Sequence, residues 1–128
     1  RLSLVGSEMC IETDLETILL LTKKLGKGNV RSIDIATESG YSKPSVSRAV
    51  GILKDGGFIG ISDGGFITLT ETGEEIASTI YERHVLLTDF FVKIGVDKGV
   101  AAADACKIEH CLSKETFAKL KEHIKGLD

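Results

Sequence analysis

Residues 30–57 set two short helical patterns on either side of one glycine, and this pairing constrains the fold more than any other stretch. "VRSIDIATESG" reads as a short helix: Ser32 is the cap, Ile33 and Ala36 face inward, and Gly40 ends it. "YSKPSVSRAVGILKDGG" reads as a longer one. Ser42 is a good N-cap, and Pro44 falls in the first turn, where its missing N–H costs nothing. Val46, Ala49, Val50 and Leu53 make a buried stripe, and Gly56–Gly57 stop it. "FIGISDGGFITLT" then places two β-branched or aromatic runs around Asp63-Gly64-Gly65, a hairpin signal. Upstream, "MCIETDLETILLLTKKL" repeats Ile11, Leu15, Ile18, Leu19, Thr22 and Leu25 at helical spacing, and "GKGN" breaks it. Helix, short helix, turn, capped helix, hairpin is the order of a winged helix-turn-helix.

In that motif the second helix of the pair enters the major groove and its N-terminal residues reach base edges. Here those are Ser42, Lys43, Pro44, Ser45, Ser47 and Arg48, with Arg31 as a further cation ahead of the pair. Small hydroxyls permit close approach, and Arg48 has the reach for a guanine or a phosphate. The chain is acidic overall, at −3, yet residues 23–54 carry seven basic side chains against two acidic ones. A local basic face, not the overall charge, is what phosphate binding requires. Against this stands the plain reading that a solvated helix face carries lysines, and that some helix-turn-helix units bind no DNA. Double-stranded DNA is the expected partner.

A chain of 128 residues is one domain or two small lobes. Hydrophobic content of 42% and charged content of 27% suit a soluble globular protein. No apolar run is long enough to cross a bilayer, and "RLSLVG" is too short for a signal-peptide core, so no membrane partner is expected. Cys10, Cys106 and Cys111 are an odd number, which fits a reducing cytoplasm better than a disulfide framework.

The second half reads as three helices. After "TETGEE", the run "IASTIYERHVLLTDFFVKIG" carries an inward stripe of Ile76, Ile80, His84, Leu87, Phe91 and Ile94. A histidine on an apolar face is ordinarily a hydrogen-bonded core residue; it gains meaning only if other ligands face it. "VDKGVAAADACKIEHCL" reads as a helix whose Ala101, Ala102 and Ala105 allow close packing. Offsets of three and four residues bring Cys106, Glu109 and His110 to one face. A thiol, a carboxylate and an imidazole all ligate transition metals. Spacing alone leaves open a surface glutamate, a buried cysteine and a chance histidine. A Cys106–His110 nucleophile oriented by Glu109 is disfavoured: no oxyanion loop or phosphate cradle accompanies it, and "GKG" at 26–28 lacks the rest of such a fingerprint. The chain therefore reads as no enzyme, with no small-molecule substrate. Ser113 caps a last helix, "KETFAKLKEHIKG", with Phe117, Leu120 and Ile124 inward.

The order of segments, with "SKPSVSRAV", "ERHVLLTDFFVKIGVD" and "DACKIEHCLS", resembles the diphtheria-toxin-repressor (DtxR/MntR-like) family of metal-dependent transcriptional regulators, from about Ile11 onward. The resemblance implies a mainly α chain, with a winged helix-turn-helix DNA-binding domain over 1–75 and a helical dimerisation and metal-binding domain over 76–128. It implies His84, Cys106, Glu109 and His110 as metal ligands, with Thr13 and Glu16 from the first helix. Glu16 agrees with manganese-type members; Thr13 departs from the usual Met or Asp, and Glu12 or Asp14 takes its place if the register shifts by one. The ancillary-site positions of iron-type members read Thr88 and Ala102 here, a further departure. The short architecture, without a C-terminal SH3-like domain, is that of manganese-type members. A soft Cys106 thiolate leans towards Fe²⁺, while Glu16 and the short architecture lean towards Mn²⁺; the balance favours iron. The expected function is repression of metal-uptake genes by a metal-loaded homodimer on a palindromic operator. The rival readings are a winged-helix regulator in which Cys106 is a redox switch and no metal is sensed, and a metal-buffering module with no DNA role.

Overall fold

The structure, a computed structural model, describes residues 8–126. The opening "RLSLVGS", and with it the signal-peptide question, lies outside the described residues, as do the last two positions. The elements are α1 (Glu8–Leu25), α2 (Ser32–Ser39), α3 (Lys43–Asp55), β1 (Ile59–Ile61), β2 (Ile67–Leu69), α4 (Glu71–Lys93), α5 (Lys98–Ile108) and α6 (Lys114–Gly126). They divide into two compact units, one ending at Ser78 and the other beginning at Thr79. No described helix is long and apolar enough to cross a membrane.

The first unit is a winged helix-turn-helix. Its core gathers Leu15, Ile18, Leu19 and Leu21 of α1, Ile35 of α2, and Val46, Ala49, Val50 and Leu53 of α3, with Ile59 and Ile67 from the wing. The Ser42 hydroxyl accepts from the Ser45 N–H at 3.3 Å and Pro44 sits in the first turn of α3, as its sequence expects. Gly40, at φ 78°, ends α2 in the left-handed region that favours glycine. β1 pairs antiparallel with β2, Ile59 opposite Leu69 and Ile61 opposite Ile67. The Ile67 N–H also donates to the Val30 carbonyl at 2.7 Å, so the chain just ahead of α2 extends the wing by one bridge.

Three local expectations are corrected. Ile33 does not face inward: it is 49% exposed, while Ile35 is 5% exposed. Two residues apart on a helix lie on nearly opposite faces, so α2 buries one isoleucine at the expense of the other. The cap of α2 is not Ser32 but the position before it. The Arg31 N–H donates to the Asp34 carboxylate at 2.8 Å, and Ser32 is the first helical residue. The long helix starts at Glu71, five residues before the apolar run that signals it. The Thr70 hydroxyl accepts from the Gly73 N–H at 3.2 Å and donates to the Gly57 carbonyl at 2.7 Å, so "TETGEE" opens the helix rather than preceding it. A Cβ at Gly73 would overlap the Phe58 carbonyl oxygen, so the site demands glycine for close approach.

The second unit holds the remainder of α4 with α5 and α6. Ile80 and Leu87 of α4, Ala101 and Ala105 of α5, and Phe117 and Ile124 of α6 are buried. Asp97 caps α5, accepting from the Gly99 and Val100 N–H groups at 3.1 and 3.4 Å. Ser113 caps α6, accepting from the Thr116 N–H at 3.0 Å. The expected α4 stripe holds at Ile80 and Leu87 and fails at its end. α4 stops at Lys93, Gly95 turns the chain at φ 106°, and Ile94 is left 63% exposed. α5 stops at Ile108, so it does not run on through Leu112 as the sequence suggests.

Gly73→Ala is expected to destabilise the protein by about 2 kcal/mol or more, because backbone, not a movable side chain, occupies the space. A lower urea midpoint at unchanged slope is the measurement that checks it.

Candidate functional site

The site in the second unit is built around one carboxylate. Glu109 follows the last residue of α5, and its N–H still donates to the Ala105 carbonyl at 2.9 Å. This keeps it in helical backbone conformation while the chain turns away. Its side chain is fully buried. His84 Nδ1, on α4, lies 3.4 Å from Glu109 Oε2, and His110 Nε2 lies 3.7 Å from Oε1. Among the described residues no donor hydrogen-bonds to either carboxylate oxygen. A buried anion without hydrogen bonds is costly. Two imidazoles converging on it make a donor set of the kind a divalent cation satisfies.

Arg83, the residue before His84, was not anticipated as part of this site. It is buried, and its Nη1 donates to the Glu109 carbonyl at 2.9 Å and to the Leu112 carbonyl at 2.7 Å. Its guanidinium carbon stands 5.2 Å from the centre of the Phe117 ring on α6. The one signal for it in the sequence was a charged residue flanking the histidine in "ERH".

The other expected ligands are placed as follows. Cys106 is half-buried near the end of α5, and Cys111 is exposed in the following turn. Among the described residues, the ligand atoms of Cys106, Glu109 and His110 do not close to within 4.8 Å of one another as a set. The helix that was to align them ends between the first and second. In the first unit, Glu16 of α1 is buried at 1% exposure and Thr13 is half-buried. Thr13 and Glu16 are joined on α1 by a third polar group: burial pushes the Asp14 carboxyl up to about 7.

The expected DNA face lies wholly in the first unit. Ser42, Lys43, Pro44, Ser47 and Arg48 are exposed and Ser45 is half-buried. An open notch of about 370 Å³ between α2 and α3 is lined by Ser32, Ile33, Lys43, Val46 and Ser47. Ile33, unburied in α2, is thus beside the N-terminal turn of α3. Arg31 is exposed, and its guanidinium sits 4.3 Å over the Phe66 ring, tying the start of α2 to the hairpin.

Comparison with known proteins places these features in a common setting. Residues 70–128 match the family model described as iron dependent repressor, metal binding and dimerisation domain. The transcriptional regulator MntR of Salmonella typhimurium is 35% identical over 90 residues, covering 70% of this chain and 57% of that protein. The HTH-type transcriptional regulator MntR of Lysinibacillus sphaericus is 30% identical over 118 residues, covering 92% of this chain and 84% of that protein. The chain thus spans somewhat more than half the length of the Salmonella relative. The solved structure of the manganese regulator SloR shares the fold with a TM-score of 0.77 at 23% identity, over 90% of this chain and 53% of that one.

Two outcomes are expected from the buried carboxylates. Glu109→Gln should raise the metal-free stability by about 1–3 kcal/mol, read by urea unfolding in chelator. Asp14 stays protonated to about 7 in the folded chain, whereas an unfolded aspartate titrates near ~3.9. The folded state therefore binds more protons across that window, and stability falls as pH rises through it. Asp14→Asn should match the native Tm at pH 4 and exceed it at pH 8.

Proposed function

This chain belongs to the diphtheria-toxin-repressor (DtxR/MntR-like) family of transcriptional regulators, and from that premise we propose that it is a metal-dependent repressor which binds palindromic operator DNA as a homodimer when loaded with Fe²⁺ or Mn²⁺. The observation that carries the metal reading is Glu109, a sealed carboxylate faced by two imidazoles and lacking hydrogen bonds among the described residues. His84, Glu109 and His110 would hold the ion from the second unit, with Cys106 as a soft fourth donor. Glu16, and Thr13 or its neighbour Asp14, would contribute from α1. A bound divalent cation supplies positive charge that offsets the burial of these carboxylates.

An ion that contacts one state of the protein differently from another is what couples an effector to a second site. α3 would then present Ser42, Lys43, Pro44, Ser45, Ser47 and Arg48 to the major groove, with Arg31 and the wing flanking it. Ligands must shed protons to bind, so the response should weaken in acid. The carboxylate of Glu16 supports a manganese response, while the thiol of Cys106 supports iron. A cytoplasmic setting and the repression of metal-uptake genes complete the reading.

Duplexes selected from a random pool with Mn²⁺ or Fe²⁺ present should bind roughly 5- to 150-fold tighter with metal than in chelator, measured by fluorescence anisotropy. Affinity should fall steeply with salt. Glu109→Ala should abolish the metal response, and Arg48→Ala should weaken binding with or without metal. In an anaerobic Co²⁺ titration, a near-ultraviolet charge-transfer band that is lost in Cys106→Ala would identify the thiolate as a ligand and favour iron. A pool that yields no metal-dependent duplex would sink the proposal.

A further inference from the structure

We propose that Arg83 is a positioning residue for the metal centre: its buried guanidinium fastens the ligand-bearing turn after α5 to α4, and so sets the Glu109 carboxylate against His84. The inference rests on the metal reading above and asks what holds its geometry.

The last carbonyls of a helix have no partner within it. After Ile108 the chain leaves α5, with the Glu109 carbonyl buried and the Leu112 carbonyl part-buried. Arg83 Nη1 satisfies both, at 2.9 and 2.7 Å, across 26 and 29 residues of sequence. A cation is also the favoured partner at the negative end of a helix. The Phe117 ring of α6 holds the guanidinium from another side, at 5.2 Å. Nε has no hydrogen-bond partner among the described residues, and both hydrogen bonds to the turn come from Nη1.

The consequence for the site comes from adjacency. Arg83 grips the backbone of Glu109, while the next residue, His84, faces the side chain of the same glutamate at 3.4 Å. Two consecutive positions of α4 thus meet both ends of one ligand, the first by hydrogen bond and the second by proximity. A carboxylate of this kind has few other restraints: neither oxygen accepts a hydrogen bond among the described residues. Without Arg83 the turn would have one buried and one part-buried carbonyl to satisfy by rearranging, and Glu109 would move with them.

The test is an anaerobic Co²⁺ titration of wild type, Arg83→Gln, Arg83→Lys and Ile124→Ala, read from ligand-field absorbance, beside urea unfolding in chelator. Gln is polar but too short to reach both carbonyls; Lys keeps several donors on one nitrogen; Ile124→Ala loosens the packing of α6 and leaves both hydrogen bonds and the Phe117 ring in place. The expected result is a Kd raised about 10- to 100-fold with altered band intensities in Arg83→Gln, and a smaller rise in Arg83→Lys. Ile124→Ala should be less stable with an unchanged spectrum. A folded Arg83→Gln with wild-type Kd and spectrum overturns the inference, whatever its stability. Should that variant not fold, a wild-type Kd and spectrum in Arg83→Lys overturns it instead. Wild-type protein that takes up neither Co²⁺ nor Mn²⁺ removes the metal reading itself, a different failure from variants that bind as wild type does.

Discussion

A carboxylate sealed from water with no hydrogen bond to either oxygen is the constraint around which the second unit is arranged. Transferring such a charge into a protein interior costs several kcal/mol unless partners compensate. Among the described residues Glu109 has two imidazoles nearby, at 3.4 and 3.7 Å, and no donor in hydrogen-bonding geometry. Its backbone, by contrast, is fully engaged: the N–H with Ala105 and the carbonyl with Arg83. The main chain is fixed and the side chain is left wanting. That division suits a ligand held ready for an ion rather than a residue that stabilises the fold.

The first unit solves a different problem. A three-residue hairpin cannot stand alone. It is carried by Ile59 and Ile67 in the core, by the Val30 bridge, and by Arg31 stacked on Phe66. The start of α4 is seated just as closely, with Gly73 against the Phe58 carbonyl and Thr70 bonded to Gly57. These contacts hold the frame on which the exposed N-terminal turn of α3 is presented. Ile33, left outward by α2, lies in the notch beside that turn.

Much of this was legible in the chain, and the successes share a character. The Ser42 and Ser113 caps, Pro44, Gly40 and the hairpin around Asp63-Gly64-Gly65 all act within a few residues of themselves. The errors share one too. Choosing Ile33 over Ile35, starting α4 at the apolar run, and extending α5 past Ile108 each required knowing which neighbour would cover which face. In the candidate site, spacing and resemblance pointed to His84, Glu109 and His110. Arg83 was not, because an arginine inside an apolar stripe reads as surface until a carbonyl is seen to need it.

The amino-acid sequence by itself determined the order of elements, their caps and turns, the basic stretch around α3 and the family, because these depend on local backbone chemistry and on residue identity. Only the tertiary structure decided that Glu109 is sealed, that Gly73 answers to a distant carbonyl, and that Arg83 reaches the turn after α5. Those facts are set by contacts between segments up to 29 residues apart, and burial of a charge has meaning only once the surrounding chain has closed over it.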